Sequence, residues 1–99
     1  MIVRLSVAAE SDLQDGFRFY EARREGLGYY FLRSIIKDLR RLESIAGVHA
    51  VFHPPYFRML IAKFPYAIFY RIEADDVFVD AILDRRRDPA YIANRITNL

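Results

Sequence analysis

The chain has 99 residues, 54% apolar and 28% charged, with four glycines and four prolines; this composition predicts one compact domain over residues 1–99 and argues against disorder. Fifteen Lys and Arg stand against 13 Asp and Glu, a net charge of +2 split as 8 against 7 in residues 1–50 and 7 against 6 in 51–99, which argues against a basic arm devoted to phosphate binding. The absence of cysteine excludes disulfides, thiolate zinc sites and cysteine nucleophiles, and no apolar run approaches the roughly 20 residues that span a bilayer, so the expectation is a cytoplasmic protein with no membrane partner.

Ile2, Val3, Leu5 and Val7 around Arg4 predict a first strand, with Ser6 or a neighbour as helix N-cap and Glu10 and Asp12 in the first turn. Leu13, Phe17 and Tyr20 recur at helical steps until Gly26 in "REGLG" interrupts them. From Leu27 a longer helix puts Leu27, Phe31, Ile35, Leu39, Leu42 and Ile45 on one stripe and Arg33, Lys37, Arg40, Arg41 and Glu43 on the other side. The two helices form an antiparallel hairpin. Gly47 closes the second, and "VHAVFHPPY" reads as a loop because Pro54 and Pro55 suit neither a helix nor a central strand.

Three short strands follow, "FRMLIA" (57–62), "YAIFYRI" (66–72) and "VFVDAIL" (77–83), the last two joined by "EADD"; they predict an antiparallel meander. Alternation sends Tyr66, Ile68, Tyr70 and Ile72 toward the helices, and Val77, Val79, Ala81 and Leu83 with them. The outward face then carries Arg58, Arg71, Asp80 and Asp84 with Leu60, Ala67, Phe69, Phe78 and Ile82. A final short helix, "PAYIANRI", starts after Asp88 as cap with Pro89 in its first turn.

Few of these residues spell out chemistry by themselves. His49 and His53 are four apart but lie in the loop without a third ligand type nearby, so no metal site is expected. "GLG" at 26–28 serves the turn between two helices and is no phosphate loop, and no cofactor is expected. Phe19, Tyr29, Phe69 and Phe78 have no inward assignment; such an aromatic set suits an amphipathic helix or strand of a partner, or a homo-oligomer contact. Arg85, Arg86 and Arg87 follow the last strand. Arginines there either pair with Asp84 and Asp88 or grip something anionic.

The element order βααβββ, together with "DL" at 12–13, "REGLGYYF" at 24–31, "FPYAIFYRI" at 64–72 and "RRRDP" at 85–89, resembles the RelE/ParE superfamily of toxins from type II toxin-antitoxin modules. It looks closest to the ParE-like, plasmid-stabilisation branch. The resemblance implies an α+β fold, with an N-terminal strand and helical hairpin packed on a three-stranded antiparallel meander and a short C-terminal helix. It also implies a toxin neutralised by a cognate antitoxin. RelE-like members cut mRNA on the ribosome without a metal, whereas ParE-like members with a known target poison DNA gyrase.

Metal-free RNA cleavage needs a base for the 2′-hydroxyl, an acid for the leaving oxygen and cations around the phosphate. By resemblance, Arg58, Arg85 and Tyr91 fall where some of those groups sit. Leu60 and Ala67 stand where the RNA-cutting members tend to place basic residues, and Asp80 and Asp84 add negative charge. The balance favours a ParE-like gyrase poison, with Arg85, Arg86, Arg87, Phe69 and Arg71 as target- or antitoxin-binding residues. The alternatives are a RelE-like endoribonuclease acting on ribosome and mRNA, and a non-toxic binding partner that retains the fold.

Overall fold

A computed structural model describes residues 1–98 and gives strand β1 (Ile2–Leu5), helices α1 (Val7–Arg23) and α2 (Leu27–Ile45), strands β2 (Ala50–His53), β3 (Tyr56–Leu60), β4 (Tyr66–Glu73) and β5 (Asp76–Asp84), and helix α3 (Pro89–Thr97). Its sheet has the order β1-β5-β4-β3-β2, with β1 parallel to β5 and the other pairs antiparallel. Ser6 caps α1 as expected, its Oγ accepting from the Ala9 amide at 3.1 Å. Asp88 caps α3 in the same way, accepting from the Ala90 amide at 2.9 Å, with Pro89 opening the helix. The start of α2 has no cap of its own. Glu21 of α1 supplies it, accepting from the amides of Gly26 (3.0 Å) and Gly28 (2.9 Å), so the "REGLG" turn is fastened by the preceding helix.

The hairpin packs on one face of the sheet, where Phe31, Ile35 and Leu42 meet Ile68, Tyr70, Val77 and Val79. This is the α2 stripe read from the sequence. For α1 the expectation needs correcting, because its deepest face is Ala9, Asp12, Gly16 and Tyr20, with Leu13 and Phe17 only half-buried. The close approach of the helices decides this. A Cβ on Gly16 would lie 2.6 Å from the Phe31 ring, and one on Gly28 would lie 2.7 Å from the Phe17 carbonyl. Small residues therefore take the seam and the larger ones flank it.

Three expectations for the sheet fail. The "VHAVFHPPY" segment contains an edge strand, β2, paired with β3 through Ala50–Arg58 and Val51–Phe57. An edge strand exposed along its whole length has no inward face to impose alternation, and its prolines fall after it. Second, β3 runs 56–60 and not 57–62. Third, β5 changes register: Phe69 pairs with Ala81 but Tyr70 pairs with Val79, which leaves Asp80 as the extra residue of a bulge. Beyond it the faces exchange. Ile82 joins the hairpin-side core, while Ala81 and Leu83 turn to the other side.

That other side is covered as well. Ile92 and Ile96 of α3 pack with Tyr56, Ala67, Phe69, Ala81 and Leu83 in a second, smaller cluster. Phe69, expected to be exposed on this face, is only 1% accessible, because α3 lies over that cluster and the Phe52 ring packs edge-on at 5.2 Å.

Candidate functional site

The site is the turn where β5 passes into α3. The ladder ends with the Arg85 amide donating to the Pro65 carbonyl at 2.8 Å, and the Arg87 amide returns to the Asp84 carbonyl at 3.2 Å. This tight return sends the three arginines to three different environments. Arg86 folds back on Asp84, whose carboxylate accepts from its amide (2.8 Å), Nε (3.1 Å) and Nη2 (2.8 Å). The Arg86 guanidinium holds the Asp84 carboxyl below the usual carboxylate range. Arg87 lies over the Tyr91 ring, 3.8 Å from its centroid. Arg85 is exposed, and among the described residues its side chain makes no hydrogen bond or ion pair.

Behind this turn lies a network that the sequence reading missed. The Asp12 carboxylate, 9% exposed, accepts from both Nη1 (2.9 Å) and Nη2 (2.8 Å) of Arg95 and from the Ile82 amide at 3.0 Å. β1 stops at Leu5 opposite Val79, so the edge of β5 beyond that point has no strand beside it, and Asp12 takes the amide that a strand would have taken. Arg95 also donates to the Tyr91 hydroxyl at 3.3 Å. The bond to Asp12 raises the Arg95 pKa despite partial burial, so it is a permanent cation. Asp12 was read only as a first-turn charge. The available signal was its place on the Ala9–Asp12–Gly16–Tyr20 stripe, where an acid must find a partner.

A cleft of about 340 Å³ runs between α1 and the turn, lined by Asp15, Phe19, Tyr66, Asp84 and Arg87. The Tyr66 hydroxyl is pushed up to about 12, chiefly by burial and then by Tyr20 and Asp84, which keeps it a neutral hydrogen-bonding group at physiological pH.

The remaining expected residues are dispersed. Arg71 donates from Nε to Asp80 at 3.2 Å, pairs with Glu73, and stacks over Phe78 at 4.5 Å. Arg58 lies over Phe52 at 5.3 Å. Its neighbour across the ladder is Phe69, whose own partner is Ala81. Arg85 therefore lies roughly 13 Å further along the sheet and about two strand spacings away, roughly 9–10 Å. Tyr91 has its ring face taken by Arg87 and its hydroxyl by Arg95. Arg58 and Arg85 therefore spring from separate backbone positions on β3 and past β5. Among the described residues no group of three or more His, Asp or Glu is placed to hold a metal, and no helix is long and apolar enough to cross a membrane.

The α+β architecture matches two solved structures. One, from the chromosomal ParDE TA system of P. aeruginosa, aligns with a TM-score of 0.73 at 16% identity, over 83% of this chain and 92% of that one. The isolated E. coli RelE toxin aligns with a TM-score of 0.60 at 14% identity, over 99% and 98% of the two chains. The chain thus shares its fold with both. Residues 3–89 match the family model of the ParE toxin of type II toxin-antitoxin system, parDE, and the chain belongs to that family. No curated protein sequence matches it significantly.

Proposed function

We propose that the whole chain acts as one toxin domain that binds and poisons DNA gyrase in the cytoplasm, and that a cognate antitoxin neutralises it. The observation that carries the preference for a binding toxin over an RNA-cutting one is the covered outward face of the sheet. Ile92 and Ile96 seal it over Phe69, and Asp80 and Glu73 neutralise Arg71. A face so filled offers little for a polyanion, which is held by clustered, unpaired cations. Arg85 is the member of the arginine turn whose side chain has neither an ion pair nor an aromatic ring beneath it among the described residues, and it is the residue assigned to the target contact. Arg86 and Arg87 shape the turn that presents it. Phe19 and Tyr29, 43% and 56% exposed on the hairpin, are assigned to the antitoxin.

The test is a supercoiling and cleavage assay with purified gyrase, plasmid DNA and this protein. Accumulation of cleaved DNA, reduced by Arg85→Ala and less affected by Arg58→Ala, is the expected result. No effect at protein concentrations well above those of gyrase, together with cleavage of ribosome-bound mRNA, would overturn it.

A further inference from the structure

A second concave site lies away from the arginine turn, between α2 and the segment that leaves β3. It is a cavity of about 310 Å³ whose walls include Ile61 and Ala62, at the lower end of the range of small-molecule pockets. From α2 it receives Ser34, Lys37, Asp38 and Arg41, a spacing that places all four along one stripe. Lys63 closes the opposite rim.

Two features set this cavity apart from an ordinary charged surface. The first is Asp38, only 7% exposed. Among the described residues its one hydrogen bond comes from Arg41 Nη1 to Oδ1 at 3.3 Å, whereas the similarly buried Asp12 accepts three shorter ones. A carboxylate carries about four acceptor positions, and Asp38 Oδ2, which accepts from no described group, keeps contact with solvent. The second is that Lys37 and Lys63 form no ion pair among the described residues; Lys63 Nζ only overlooks the Tyr30 ring at 5.8 Å. Two lysines without ion pairs among the described residues thus line the same cavity as a carboxylate with acceptor positions to spare.

We propose that this cavity binds a guanine nucleotide of monophosphate size. Its phosphate lies between Lys37 and Lys63, and the adjacent N–H donors of the base reach Asp38. The ligand has to be bipolar: an anion alone leaves the open acceptor positions of Asp38 unfilled, and an acidic peptide brings carboxylates against it. Guanine offers two neighbouring N–H groups that match a carboxylate, while adenine sets its amino group beside acceptors. The site is independent of the gyrase reading.

Titration of the ¹⁵N-labelled protein with GMP tests this. Saturable amide shifts confined to Ser34, Lys37, Asp38, Ala62 and Lys63 are expected, with AMP binding more weakly. A Lys37→Ala, Lys63→Ala variant, altered only at exposed side chains, should weaken GMP by at least about tenfold. Asp38→Asn should bring GMP and AMP to similar affinity. The proposal is overturned if GMP gives no saturable shift at millimolar concentration, if the double lysine variant binds unchanged, or if inorganic phosphate binds as well as GMP. Tighter binding of an oligoglutamate peptide at the same residues would likewise overturn it in favour of an acidic protein segment.

Discussion

The two faces of the sheet are covered in different ways. On one, two helices of 17 and 19 residues bring rings and aliphatic chains into a continuous apolar core around Phe31, Ile35, Tyr66 and Tyr70. On the other, a helix of nine residues contributes Ile92 and Ile96 and is held at its far end by one ion pair, Arg95 with Asp12. The first attachment is non-directional and spread over many contacts, so no single bond governs it. The second is short and depends on a polar group that would be costly to leave alone. The difference teaches that the hairpin is the structural body and that α3 is a fastened cover. The arginine turn sits between them, which gives Arg85 a fixed base without tying its side chain.

The largest expected effect is on the hairpin face. Phe31 is fully buried among Tyr20, Phe64 and Tyr66, so Phe31→Ala should cost about 3–5 kcal/mol in urea unfolding and lower protection of the whole sheet from hydrogen exchange. A loss confined to α1 and α2 would break the view of a single body.

Arg95→Ala comes next, at about 1.5–3 kcal/mol, because it leaves the Asp12 carboxylate buried with one donor instead of three. Amides of α3 should exchange faster while those of α2 remain protected. Equal acceleration in both helices would show that the cover and the body are not separable. Arg86→Ala takes two side-chain donors from a largely buried Asp84 but leaves the Arg86 amide in place, so it should lower the melting temperature less than Arg95→Ala and leave α3 protected.

The smallest effect is at the rim of the hairpin face, where the Tyr70 hydroxyl accepts from the Gly47 amide at 2.9 Å and lies 2.5 Å from His49 Nδ1. With Gly47 donating, the hydroxyl proton goes to Nδ1, which must be unprotonated. Burial, and secondarily Arg41, hold the His49 pKa below its ordinary value. The stabilisation is therefore complete above about pH 6.5, the unfolded value, and is lost as pH falls toward the folded one. Melting temperature measured from pH 7.5 to 5 should fall in the wild type and fall less in His49→Gln, whose amide oxygen can accept from Tyr70. Parallel curves would remove His49 from the rim.

Much of the fold was legible because its signals are local. Ser6 and Asp88 mark helix starts by their own side chains, and the 3.6-residue recurrence of Phe31, Ile35 and Leu42 needs no knowledge of what it packs against. Strand β2 escaped because it is exposed along its whole length and so carries no alternation, whereas the other edge strand, β1, keeps one half-buried side. The exchange of faces after Asp80 escaped because a bulge is set by the pairing of β5 with β4, not by the residues of β5. Of the site, the arginine run was visible but its division was not. Arg86 had Asp84 two residues away, whereas the position of Arg87 depended on Tyr91 one helical turn later.

The sequence alone was enough for every element except β2, for the Ser6 and Asp88 caps, for the α2 stripe and for the motifs that resemble the toxin superfamily, all of which depend on neighbours within a few residues. The tertiary arrangement alone decided that Phe69 is sealed beneath α3, that Asp12 reaches 83 residues along the chain to Arg95, and that Arg86 pairs with Asp84 and Arg87 stacks on Tyr91 while Arg85 does neither. The first two are pairings between distant segments. Burial makes a polar group take whichever partner the fold brings within reach, and no local periodicity records which partner that will be.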